Sequence, residues 1–118
     1  MMEGIFDIDG RTVAWLHDDL VRDLDGYAVA FIRGSAVYDY NGVQLGFFTN
    51  GYFQDEEGNA VALIRDAHGK PLLPVIQPSP IRPDLLHEPP LYPVPDVPAT
   101  PPASTTFWSD LEWDDFVD

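Results

Sequence analysis

IFDIDGRTVAWL, residues 5–16, decides the fold, because three further versions follow it at a spacing of 16 with no gap. They are VRDLDGYAVAFI (21–32), VYDYNGVQLGFF (37–48) and FQDEEGNAVALI (53–64). Each copy carries an Asp (Asp7, Asp23, Asp39, Asp55) and, three places later, a Gly (Gly10, Gly26, Gly42, Gly58). Asp9-Gly10, Asp25-Gly26 and Asn41-Gly42 are hairpin signals, because tight turns need a positive φ at one or both central residues. Glu57-Gly58 departs from that pattern and is expected to turn less comfortably. The leading Asp of each copy is placed to accept hydrogen bonds from turn amides, as an Asx turn does. Each unit therefore reads as a short strand (Ile5 to Asp7), a tight turn and a longer strand (Thr12 to Leu16), followed by four linking positions.

The longer strand is apolar on both faces: Val13 and Trp15 point one way, Ala14 and Leu16 the other. Position 14 stays small in every copy (Ala14, Ala30, Gly46, Ala62), so something approaches closely there, and the other copies are the natural neighbours. A lone hairpin is marginal in water, so the copies must share a core. The expected fold is all-β: four hairpin repeats closed into a pseudo-fourfold ring or toroid, with positions 14, 30, 46 and 62 near its axis. A short open β-solenoid is the alternative, but closure removes exposed strand edges and needs no capping unit.

Around this frame the chain divides. All 12 prolines lie between Pro71 and Pro102, and Gly69 marks the junction. The expected organisation is a four-repeat β domain (1–68), a Pro-rich extended arm (69–102) and an acidic, aromatic C-terminal segment (103–118). The arm is expected to run close to polyproline II, because proline removes amide donors and disfavours helix. Its P-x-x-P spacings are expected by chance at this proline density. In FWSDLEWDDFVD, Ser109 and Glu112 form a capping box and Trp108 can pack on Trp113 as a staple, predicting a helix from Asp110 to about Val117. Phe107, Trp108, Leu111, Trp113 and Phe116 are the residues expected to dock, on the ring itself or on a partner.

The units YDYNGVQLGFF, RDLDGYAVAFI and FDIDGRTVAWL resemble the bacterial family described as four-fold β-flower proteins, over roughly residues 4–67. Phe107-Trp108-Ser109 is similar to a tail feature of that family. The resemblance implies a closed, pseudo-fourfold β fold and brings no activity with it. Its relatives often carry a basic Pro-rich segment, whereas this chain has only Lys70 and Arg82 beyond Gly69.

A net charge of −14 opposes binding to nucleic acid, which needs Lys and Arg on phosphates, and to anionic lipid. There is no Cys, and His17, His68 and His87 lack zinc-site spacing, with His17 expected at the surface. Paired acids such as Asp7/Asp9 invite calcium, but Gly follows the second acid at once and no later acid recurs, unlike an EF-hand loop. No catalytic residue, metal ligand or cofactor is expected, nor a secretory signal or membrane span, so the cytoplasm is the default. The functional expectation is a non-catalytic protein-binding or assembly module with an unidentified protein partner. The alternative is a small-ligand or divalent-ion site on the axis.

Overall fold

The computed structural model describes residues 2–69, 74–84 and 86–117. Eight antiparallel strands, β1 (Met2–Phe6), β2 (Thr12–His17), β3 (Leu20–Arg22), β4 (Ala28–Arg33), β5 (Ala36–Tyr38), β6 (Gln44–Thr49), β7 (Tyr52–Gln54) and β8 (Ala60–Ile64), form a closed barrel in chain order. Closure is made by β8 returning to β1, with Ile5 opposite Ile64 and Phe6 opposite Leu63. No sheet edge is left over in that barrel. One helix, α1 (Trp113–Val117), follows near the C-terminus.

The Asp-Gly turns explain the first set of hairpins. Asp7 Oδ1 accepts the amides of Asp9 (2.9 Å) and Arg11 (3.0 Å), and the Gly10 amide donates to the Asp7 carbonyl at 3.0 Å. The same two side-chain bonds recur at Asp23, Asp39 and Asp55. Gly10 takes the positive φ (77°) while Asp9 does not. The turn is therefore a three-residue loop ending in a left-handed glycine, which forces a bulge into the ladder. Register shifts indeed fall between Ile5 and Phe6, Val21 and Arg22, Val37 and Tyr38, and Phe53 and Gln54. This corrects the expectation for the fourth turn. Residue 57 supplies only its amide, so Glu57 turns as well as Asp or Asn: the Glu57 and Asn59 amides donate to Asp55 Oδ1 at 2.9 and 3.0 Å.

The linking positions are hairpins too. Asp18-Asp19, Gly34-Ser35 and Asn50-Gly51 each join two paired strands as two-residue turns, with positive φ at Asp18 (55°), Gly34 (65°) and Asn50 (54°).

Two apolar layers result. Inside, a large residue faces a small one across each bulged pair: Ile5 with Ala14, Val21 with Ala30, Val37 with Gly46, Phe53 with Ala62. Outside lie Trp15, Phe31, Phe47 and Leu63, all buried although they face away from the core. Their cover comes from the Pro-rich segment: Tyr92 packs edge-on against Phe31 (5.1 Å), Arg82 lies over Trp15 (5.9 Å), and Ile76 joins the Leu63 cluster.

The helix is shorter than the sequence predicts. The Ser109 hydroxyl accepts the Leu111 amide (3.1 Å), and the Ser109 amide is committed to Ala60 O at 2.7 Å. Ser109 is thus tied to β8 instead of capping, and the helical bonds begin at Glu112, whose carbonyl accepts from Asp115 and Phe116. Trp108 bridges to Ala60 and packs in the Phe6 cluster, while Trp113 belongs to the inner core.

Candidate functional site

Four backbone hydrogen bonds place the segment from Pro74 to Thr105 against the barrel. The amides of Gln77, His87, Asp96 and Thr105 donate to the carbonyls of Gly10 (2.9 Å), Gly26 (3.2 Å), Gly42 (2.9 Å) and Gly58 (3.1 Å), respectively. One residue type per turn is reused: the glycine that closes the turn also presents the acceptor. Its lack of a side chain matters, because a Cβ on Gly42 would lie 2.6 Å from the Val94 oxygen, and one on Gly10 would overlap the Val75 carbonyl.

The residue just past each bulge supports the same contact. Arg22 Nη1 donates to His87 O (2.7 Å), Tyr38 Oη to Asp96 O (2.9 Å), and Gln54 Nε2 to Ser104 Oγ (2.8 Å), whereas Phe6 packs with Ile76. Arg22 and Gln54 are the buried polar side chains of the molecule, among the described residues. Burial without partners is costly, and these partners lie on the tail. Arg22 also donates to Gly26 O (2.8 Å) and, through Nε, to His17 Nδ1 (3.1 Å). His17 is therefore half-buried and bonded, not a free surface residue. His87 stacks flat on Tyr27, with centroids 3.7 Å apart.

The C-terminal segment then crosses to the barrel mouth and seats Trp113 and Phe116 among Ile5, Val37, Phe53 and Ala62. Phe116 occupies the space a methyl would take at Gly46, its Cε1 lying 2.7 Å from that point. Ala14, Ala30 and Ala62 lie in the same core cluster, fully buried. Of the five aromatic and apolar tail residues, Trp113 and Phe116 are inside and Trp108 packs on the barrel. Phe107 and Leu111 face solvent, 68% and 44% exposed.

Where the tail passes the first turn it walls a cleft of about 540 Å³. Asp7, Asp9, Asp110, Glu112 and Asp114 line it, with Ile8, Leu24, Val13, Val61 and Leu111 as its apolar part. The single basic residue in the lining, Arg11, is already paired with Asp7 and Asp9, both at 3.3 Å. Across the Asp110–Leu111 ridge a second hollow of about 420 Å³ adds Asp55, Glu56 and Glu57. Among the described residues, no three His, Asp or Glu converge as a metal site. The Asp7, Asp23, Asp39 and Asp55 carboxylates are spent on turn amides.

A family model described as "4-fold beta flower protein" matches residues 3–117. The chain belongs to the four-fold beta flower family. The matched span runs through the Pro-rich and C-terminal segments as well as the barrel. No curated protein and no solved structure matches the chain. No described helix is long and apolar enough to cross a membrane.

Sequence reading misses two parts of this beta flower site. Arg22, Tyr38 and Gln54 occupy one position in successive units, but with Phe6 they share no side-chain chemistry, so the repeat conceals them. The signal available was a polar side chain inside an otherwise apolar strand. The cleft acids Asp110, Glu112 and Asp114 read only as helix-terminus charges until the tail is docked.

The Tyr40 phenol sits between Phe31 and Tyr92. Burial, with a further push from Tyr92 and a smaller opposing pull from Arg22, raises its pKa to about 12 from an ordinary 10.0. Burial raises Tyr52 as well. A folded pKa above the unfolded one means that this contribution to stability is intact below pH ~10 and is lost as pH rises toward ~12. Absorbance titration at alkaline pH is expected to show a late-ionising tyrosine at about 12, absent in Tyr40→Phe. A wild-type curve identical to that of the variant rules this out.

Proposed function

We propose that this chain is a non-catalytic protein-binding or assembly module acting in the cytoplasm. In this reading four 16-residue hairpin units form a pseudo-fourfold ring, belted by the Pro-rich arm, and the acid-walled cleft beside the C-terminal segment is the contact surface. One observation carries the proposal: five carboxylates around an apolar floor, with the lone Arg11 already neutralised. Such a surface suits a partner segment that presents Lys or Arg beside apolar side chains. Charge sets its specificity and speed of encounter, and apolar burial at Ile8, Leu24 and Leu111 holds it.

The axial alternative has less support. The interior is filled by Ile5, Val21, Val37 and Phe53 and closed by Trp113 and Phe116, which favours contacts on the outside.

A labelled peptide alternating Lys and Leu tests the reading by fluorescence polarisation. It is expected to bind the full chain, and to weaken roughly tenfold when salt rises from about 50 to about 300 mM, because rim charges are screened over a few ångströms. The triple variant Asp9→Asn/Asp110→Asn/Asp114→Asn should lose a similar factor while keeping its melting temperature. Equal binding of a Glu/Leu peptide, or an unaffected triple variant, sinks the proposal.

A further inference from the structure

We infer a second, separate recognition surface: the solvent face of residues 88–98, EPPLYPVPDVP, fits an aromatic-lined groove of the kind that reads polyproline II. Leu91, Val94 and Val97 are 94%, 93% and 91% exposed. They recur every third residue, which is one turn of a polyproline II helix, so in that conformation they form a single stripe. Exposed apolar side chains scattered singly need no explanation, but a regular stripe on a fixed backbone does.

The backbone beneath the stripe is fixed from both sides. The Asp96 amide donates to Gly42 O (2.9 Å) and its carbonyl accepts from Tyr38 Oη (2.9 Å). Tyr92 is clamped on Phe31 and Tyr40, and Ala99 is held by Gln44 Oε1 (2.9 Å). Pro93 and Pro95 are half-buried, on the barrel side, while Leu91, Val94 and Val97 look outward. The barrel thus reads one face of the segment and leaves another presented in order. Groove domains bind such ligands well because little chain entropy remains to be lost, and here the anchoring has removed more of it in advance. Proline spacing alone says nothing at this density. A rigid, outward apolar stripe framed by prolines does.

Charge narrows the partner. Glu88 and Asp96 flank the stripe, both exposed, and the only other titratable groups on this stretch are His87, stacked on Tyr27, and Tyr92. The groove that fits carries Lys or Arg beside its aromatic side chains. This surface does not depend on the acidic cleft.

The experiment immobilises the full chain and passes over it a panel of purified SH3 and WW domains, with grooves lined by Tyr and Trp. At least one is expected to bind. Leu91→Ser/Val94→Ser/Val97→Ser should weaken it at least tenfold without lowering the melting temperature, because these side chains touch little of the barrel. Glu88→Lys/Asp96→Lys should weaken it independently while leaving the Asp96 backbone bonds in place. No binding by any groove domain, or equal binding by the wild type and the Ser variant, overturns the inference. Sedimentation showing that wild type self-associates and the Ser variant does not assigns the stripe to a second copy of this chain, and overturns it equally.

Discussion

Trp113→Ala is expected to destabilise the chain by about 3–5 kcal/mol, the usual cost of emptying a buried aromatic site. The indole is 6% exposed, edge-on to Phe53 at 5.3 Å and stacked with Phe116 at 5.7 Å. A helix of five residues has no stability of its own, so its order comes from what it docks on. Removing the indole therefore frees the rest of α1 as well and opens the mouth of the barrel. Against a total stability of roughly 5–15 kcal/mol this is a large fraction. The melting temperature should fall by roughly 10–20 °C. Phe116→Ala should behave alike, and the double variant should cost less than the sum, because the two rings share one site. Phe107→Ala and Leu111→Ala, at exposed positions of the same segment, should stay within about 0.5 kcal/mol of wild type. A Trp113→Ala melting curve overlaying that of Leu111→Ala would show that the tail is not part of the core.

The second large effect is expected at Gly10. Alanine there meets two penalties. The backbone sits at φ 77°, where an L side chain costs about 1–2 kcal/mol. The new methyl would also overlap the Val75 carbonyl, so the tail must lift and lose the Gln77–Gly10 bond, worth about 1 kcal/mol. Gly34→Ala supplies the control. Its φ is 65°, yet no described atom lies within 4 Å of the added Cβ, so only the backbone strain remains. The expected difference between the two variants is about 1–2 kcal/mol and measures the tail contact itself. Limited proteolysis gives the second readout, because Gly10→Ala should expose the segment around Val75–Ser79 to cleavage and Gly34→Ala should not. Identical stability losses and identical cleavage would remove the tail from the account.

Much of the barrel is legible from residues 5–64. The Asp-to-amide bonds span two and four residues, so each turn is specified within one copy. Three of the seven hairpins, however, read from the sequence as linkers. Asn50-Gly51 and Gly34-Ser35 carried the signal, but Asp18-Asp19 does not resemble either, and the search for a common motif favours the Asp-x-x-Gly turn that all four copies share. The double apolar face of the long strands predicts burial on both sides without saying what covers each. The copies cover the inner side, and the outer side, with Trp15, Phe31 and Leu63, is apolar because the tail covers it.

The reading of Ser109 fails for a related reason. Ser-x-x-Glu is a sound local cap, worth about 1 kcal/mol, but the Ser109 amide and the Phe107 carbonyl pair with Ala60, and that pairing fixes the backbone before the helix begins. Tertiary pairing overrides a marginal local preference.

The sequence by itself determined the four Asp-x-x-Gly hairpins and the apolar frame, because those depend on bonds between residues a few places apart and on a pattern copied four times. Closure, expected because it removes exposed strand edges, is made by β8 returning to β1, but tertiary structure alone decided that Trp113 and Phe116 fill the mouth and that the tail rests on Gly10, Gly26, Gly42 and Gly58 in turn. Those tail contacts join backbone carbonyls to backbone amides from 47 to 67 residues away. Every residue except proline carries such an amide, so no choice of side chain at Gln77, His87, Asp96 or Thr105 announces them.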